Sequence, residues 1–536
     1  MSVRVEVFRR NKVLKQIKQE ETETLNNDCV AKKNFHKSIP NATPDKYIYQ
    51  QRDSVINIFF LVCMMGMSLG ILLKVINAVN RNHQFIEKLY KPKTTYWTFG
   101  EGSNSWRFKH VHRVLERVGY VKSTNESQWT LLWTAFLPFK KYLTNLNADQ
   151  LVNQVPGSAC FTCKVTLATT GSKYIPKAFR LPAGKKQFLL YAQKNKNALF
   201  VMKNNNHRKV HLKNVTEVDD ADGKNFVQEY IQNPFLIDGY KFDIGVYVAI
   251  TSVNPLRVYR YNGDVLIRFC PEQYYPFDPM NVNKYAVADN YLPIWKVPSM
   301  EYPYNVLGNS KKESFNIYAR SKGKDPTHMW EEIHQAIAET FHKNEHRMIQ
   351  ALRSYKSKDN FFEMIRFDFI VDDTMRVYLL EANMRPNLNS KKLPQNQLLY
   401  EQVLYNLFSL TGVTRRANVR EVNQSDSQAT KEMLGAMRNL AVYGAECHKD
   451  CKESCQALDM CKLCGPCLTK QMNKELWDAH TEHLHKGDFR RLIPPPMEPI
   501  MNTTSLHTKF KNLSPMNKLL HLWFQGKCNQ DITWCI

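Results

Sequence analysis

The sequence lacks the short signatures by which chains grip nucleic acid. It has no RNA-recognition motif, no zinc-finger spacing with paired histidines and no basic zipper. DNA and RNA are therefore poor candidates, and no nucleic-acid partner is expected. Acidic residues are in deficit: 50 Asp and Glu against 74 Lys and Arg leave a formal charge of +24. Such a balance suits an acidic partner, either an anionic membrane face or a protein with an acidic tail, unless the lysines only solubilise the surface. Apolar residues are not scarce. At 43% hydrophobic and 12% aromatic the chain is no disordered polymer. Its 536 residues exceed one core and predict two or three domains.

Charge is absent altogether from "VINIFFLVCMMGMSLGILL", residues 55–73. Nineteen uncharged residues can span hydrocarbon as a helix, and the run lies too far from the start for a cleaved signal peptide. A single-pass membrane protein is predicted, with a basic tail over 1–54 and a transmembrane helix over 55–74. A buried core helix is the alternative, because Asn57, Ser68 and two glycines dilute the run. Eleven Lys and Arg in the first 52 residues favour a cytosolic tail. The twenty residues on each side hold three before and five after, which leans the other way.

Six cysteines cluster at Cys447, Cys451, Cys455, Cys461, Cys464 and Cys467, with Cys528 and Cys535 near the end. The first three, four apart, line one face of a helix. Disulfides between two short helices fit this spacing, and would suit a luminal or external region. A zinc site drawing on His480, His483 and His485 also fits, as do free thiols. Five N-x-S/T sequons follow the uncharged run, at Asn125, Asn214, Asn423, Asn502 and Asn512, and add weak support for the lumen.

Between about 93 and 412 the chain alternates strand-like and helix-like pieces, as α+β and α/β folds do. A first α/β subdomain is expected over 93–155 and the main domain over 156–412. A linker or helix over 413–445 and a Cys-rich, mainly helical region over 446–536 would follow. "KFDIGVYVAI" (241–250) puts Phe242, Ile244, Val246 and Val248 on one face, Lys241 and Asp243 on the other. "LRVYRY" and "DVLIRF" predict a hairpin around Asn262-Gly263. "WEEIHQAIAETFHKNEHRMIQAL" (330–352) has helical apolar spacing. "FFEMIRFDFIVDDTMRVYLLEANMRPNL" reads as strand, Asp372-Asp373-Thr374 turn, strand. That hairpin sets Asp368 opposite Glu381 and Asn383. Three hard oxygen donors on paired strands suit Mg²⁺, and Lys203 and Lys241 at separate strand ends suit phosphates. A polar strand end with a turn is the plainer reading of the same residues.

The series "VPG", "IPKAFRLP", "FVMK", "VQEYIQNPFLIDGYKFDIGVYVAI", "PLRVYRYNGDVLIRF", "FFEMIRFDFIVDD" and "YLLEANMRPNL" resembles the tubulin–tyrosine ligase-like family over roughly residues 155–392. The resemblance implies an ATP-grasp fold, in which two sheets enclose a Mg-ATP site, and a ligase that adds an amino acid to tubulin. By position it implies that Lys203 and Lys241 hold ATP phosphates. Gln228, Glu229, Tyr230 and Ile231 would face the adenine, and Asp243 would order the ribose or phosphate side. Arg268 would approach the γ-phosphate, and Asp368, Glu381 and Asn383 would ligate Mg²⁺. Tubulin's acidic tails and free glutamate would be the substrates, as in a polyglutamylase. Three departures stand out. Family members usually carry an arginine where this chain has Gly245. The glycine-rich phosphate loop is missing from "KNNNHRKVHL", where His207, Arg208 or Lys209 would have to compensate. "VADNY" (287–291) keeps only Asn290 and Tyr291 of its motif. A catalytically silent membrane-anchored scaffold and a ligase for a luminal protein are the alternatives.

Overall fold

The computed structural model describes residues 94–418 and 437–536, apart from 102–104, 125, 127, 136–141, 205–210, 214, 216–217, 219–224, 289, 501–509 and 511. The expected membrane span and basic tail lie outside the described residues, as do His207, Arg208 and Lys209. Among the described residues no helix is long and apolar enough to cross a membrane.

Three sheets organise the described chain. The first is parallel, in the order β2-β1-β3-β4: β1 (Thr95–Phe99), β2 (Val121–Lys122), β3 (Leu131–Thr134) and β4 (Leu151–Val152). Helix α1 (Lys109–Arg117) turns Val111, Val114 and Leu115 into its core. The second sheet is small and antiparallel, in the order β5-β8-β6-β7: β5 (Ala178–Arg180), β6 (Phe200–Asn204), β7 (His211–Lys213) and β8 (Asn225–Glu229). Helix α2 (Lys185–Lys194) covers it through Phe188, which packs edge-on at 5.0 Å against Phe200.

The third sheet is built around β9 (Phe242–Val253). Strands β10 (Leu256–Tyr261) and β11 (Leu266–Phe269) both run antiparallel to β9. They lie along the edge opposite β13 (Glu363–Val371), because β9 residues 244, 245 and 248–250 pair on both sides. The hairpin expected around Asn262-Gly263 does not form. Twelve residues of β9 offer an edge long enough for both strands, so Asn262-Gly263 only interrupts one continuous edge, and the tight turn falls at Asn254-Pro255 instead. Strand β12 (Leu292–Pro293) pairs antiparallel with β11, and β14 (Val377–Met384) closes the predicted hairpin with β13.

Both faces of β9 are buried. Ile244, Val246 and Val248 pack with Ile333, Ile337 and Phe341 of α3 (Pro326–Leu352), the predicted helix. Tyr247 and Ala249 share a second core with Leu404 and Phe408 of α4 (Asn396–Leu410) and with Tyr96 and Leu131 of the first sheet. The C-terminal region adds helices α5 (Lys470–Leu484) and α6 (Pro515–Gln530). It also donates β15 (Phe489–Ile493), which pairs antiparallel with β10 and was not anticipated. The cysteines resolve into disulfides Cys447–Cys464, Cys451–Cys461, Cys455–Cys467 and Cys528–Cys535. The zinc alternative does not hold. The Cys-cluster thiols are paired, and His480 and His483 lie against Trp534, with His483 stacked at 3.8 Å. Among the described residues no group of three His, Cys, Asp or Glu is placed to hold a metal.

Candidate nucleotide and metal site

The central hairpin delivers the carboxylates. Strand alternation sends Ile365, Phe367 and Phe369 into the core against α3, and Arg366 and Asp368 to the opposite face. Register places Asp368 opposite Glu381 on β14 and opposite Gly245 on β9. The Asn383 amide donates to Asp368 at 2.8 Å and to Glu381 at 3.0 Å, so the three side chains converge. Asp368 is 1% exposed. From β11, Arg268 donates both to Asp243 (2.9 and 2.7 Å) and to Asp368 (2.9 Å). Arg366 forms a two-pronged pair with Asp368 at 2.6 and 2.9 Å. Lys164, from the short helix Lys164–Ala168, reaches Glu381 at 2.8 Å.

The lysines sit nearby. Lys203 on β6 donates to Gln228 on β8 at 2.7 Å, and Gln228 donates on to the Pro176 carbonyl at 3.2 Å. Lys241, just before β9, donates to the Tyr230 hydroxyl at 3.0 Å, which in turn meets Tyr274 at 3.1 Å. The candidate residues therefore gather into three linked groups: Lys203 with Gln228, Lys241 with Tyr230, and Arg268 with Asp243, Asp368, Asn383 and Glu381. Glu229 points elsewhere and accepts from Tyr191 of α2 at 2.8 Å. Ile231 lies beyond the end of β8 and joins none of these side-chain groups. Lys164 and Arg366 were not singled out in the sequence. Arg366 was findable, since it stands two residues before Asp368 on one strand face. Lys164 carries no local signal, because its link to Glu381 spans the fold.

The electrostatics of the site are strained in a useful direction. Burial pushes the Lys203 ammonium down to about 8, and the charge of Lys164 adds to this against Glu381. Burial also lowers Lys241 to about 8, although Asp243 pulls the other way. An incoming anion favours the charged form and pulls both values back up. Burial works to raise Glu381, but the Lys164 ammonium outweighs it and holds the carboxyl well below the usual carboxylate range. Burial pushes Asp243 up to about 6 against the pull of Arg268.

The donor set fits a hard divalent cation. Two carboxylates and an amide converge within hydrogen-bonding distance, and a cation, the Lys164 ammonium, already rests on Glu381. A model of the tubulin-tyrosine ligase family matches residues 142–420, more than half of the chain. The chain belongs to the tubulin-tyrosine ligase family. The match takes in every strand that carries the site. The probable tubulin polyglutamylase ttll-15 of Caenorhabditis elegans is 39% identical over 453 residues, covering 81% of this chain and 85% of that protein. Tubulin polyglutamylase TTLL7 of Mus musculus is 25% identical over 420 residues, 73% of this chain but 45% of that protein. Tubulin polyglutamylase TTLL6 of Mus musculus is 27% identical over 326 residues, 56% of this chain and 39% of that protein. The chain thus spans less than half the length of these two mouse relatives. The mixed α/β architecture, with the site between the small sheet and the central one, is consistent with the ATP-grasp-like fold of the family.

Proposed function

We propose that the protein is an ATP-dependent carboxylate–amine ligase that adds glutamate to tubulin. The observation that carries this reading is the convergence of Asp368, Glu381 and Asn383 on one hairpin end, with the ammonium groups of Lys203 and Lys241 beside it. When bound, Mg-ATP supplies the γ-phosphoryl group that turns the acceptor carboxylate into an acyl phosphate, from which the incoming amine displaces phosphate. Asp368, Glu381 and Asn383 would hold the Mg²⁺. Lys203 and Lys241 offer ammonium groups to the phosphates. Arg268, tethered by Asp243 and Asp368, sets a fixed guanidinium where negative charge develops. Lys164 is free to leave Glu381 once a metal takes its place. The names of the relatives support tubulin and glutamate as substrates, and the +24 charge suits an acidic tubulin tail. A membrane anchor at 55–73 is part of this proposal.

The test is transfer of labelled glutamate to microtubules by purified protein, compared with Glu381→Gln. Loss of transfer in the variant supports the site. Equal transfer by both would remove it, and no transfer by the parent protein would favour a silent scaffold.

A further inference from the structure

Gly245 lies in the middle of β9, and its backbone is ordinary strand with no left-handed φ. Glycine in a strand interior weakens the strand and calls for a reason. The reason is Arg366. A Cβ at 245 would lie 2.8 Å from Arg366 Cδ, 3.1 Å from its Nε and 3.1 Å from Asp368 Oδ1. The side chain of Arg366 crosses from β13 over Gly245, and its guanidinium ends on Asp368. Position 245 is thus filled by an arginine, but one that comes from the neighbouring strand.

Charge bookkeeping agrees. Asp243, Asp368 and Glu381 face three cations: Arg268, Arg366 and Lys164. Without Arg366 the cluster would hold one carboxylate in excess at a place where Asp368 is almost wholly buried. We infer that Arg366 is a positioning residue of this site. From β13 it supplies the cation that the family resemblance places at 245, and Gly245 is the cradle that admits it. The missing arginine is then an exchange across a strand pair rather than a loss. The inference rests on the ligase reading only for its transfer readout; Mg-ATP binding reads it independently.

The experiment compares the full chain with Arg366→Gly, Arg366→Lys, Gly245→Arg and the double exchange Gly245→Arg/Arg366→Gly. Mg-ATP binding and glutamate transfer are both measured. Arg366→Gly is expected to lower transfer by about 100-fold, as loss of one fixed donor does, and to weaken Mg-ATP binding. Gly245→Arg alone should lose similarly, because its Cβ collides with Arg366. The double exchange should recover to within about tenfold of the parent, since it returns one arginine to one cradle. A merely structural role would not predict that recovery. Parent-like behaviour of Arg366→Gly overturns the inference. So does a folded double exchange that stays at the level of the single variant. If Arg366→Gly does not fold, Arg366→Lys decides: it keeps the charge but not the two-pronged geometry, so it should bind Mg-ATP while losing most transfer, and full activity would overturn the proposal. Should the parent bind Mg-ATP without transferring glutamate, the binding pattern across the variants still tests Arg366 while the ligase reading falls. Absence of Mg-ATP binding in the parent overturns both.

Discussion

The central sheet carries two buried charge clusters of opposite temperament. One is the site cluster around Asp368. The other lies where α5 meets β10. There Arg257 pairs with Glu475 at 2.8 Å and with Glu482 at 3.1 Å. Glu482 also accepts from Tyr259 and from Thr251, both at 2.9 Å. All three charged side chains of this second cluster are below 10% exposed, whereas Lys164 and Glu381 at the site stand at 23% and 25%. The Arg257 cluster is closed and has no partner to exchange. The Lys164–Glu381 pair at the site opens outward. Similar chemistry therefore fastens the C-terminal region in one place and leaves a partly open ion pair in the other.

Mutation should separate the two clusters. Arg257→Ala leaves two buried carboxylates unpaired and should cost about 3–5 kcal/mol of stability, read as a lowered denaturant midpoint. Glu381→Gln should lower glutamate transfer by about 10²–10³-fold while shifting the unfolding midpoint far less. A large midpoint shift with intact transfer would mean that the site cluster is structural as well. Asn517 of α6 tests the C-terminal fastening more gently. It accepts from the Leu256 N–H at 2.7 Å and donates to Glu345 at 2.8 Å. Asn517→Ala should cost about 1–3 kcal/mol in thermal unfolding and leave Mg-ATP binding unchanged.

The smallest effect is a pH dependence confined to the site. Lys203 and Lys241 have their folded values lowered to about 8, from an ordinary 10.5. Nucleotide affinity should fall by about tenfold per pH unit for each ammonium lost as pH rises through 8. Calorimetry at pH 8.5 in buffers of different ionisation enthalpy should show proton uptake on binding Mg-ATP. The ligand-free protein should move the other way. Between about pH 8 and 10.5 its unfolded chain holds more protons at these lysines than the folded one, so their contribution to stability rises with pH. The Arg257 cluster should show neither effect.

What the sequence disclosed was mostly local. The β13–β14 hairpin was legible because an alternating strand, an Asp-Asp-Thr turn and a second strand lie within about twenty residues. With it came the placement of Asp368, Glu381 and Asn383. The long helix was legible from its apolar period. The Asn262-Gly263 hairpin failed because the turn signal is local, whereas the partner of both flanking strands is β9. Lys164 was hidden because its contact with Glu381 crosses more than two hundred residues. The cysteine spacing allowed disulfides and zinc alike, and only the fold's pairing of Cys447 with Cys464 and Cys451 with Cys461 chooses between them. Gly245 read as a defect because its neighbour across the sheet cannot be seen from β9 alone.

The pairing of β15 with β10 sets an order of events during synthesis. Residues 256–261 leave the ribosome long before residues 489–493, so one edge of the growing central sheet waits for most of translation without its final strand. A chain stopped before residue 489 would carry every proposed nucleotide contact and still present a bare edge ready to pair with another chain. Premature termination near the C-terminus would therefore yield a sticky product rather than a shortened enzyme.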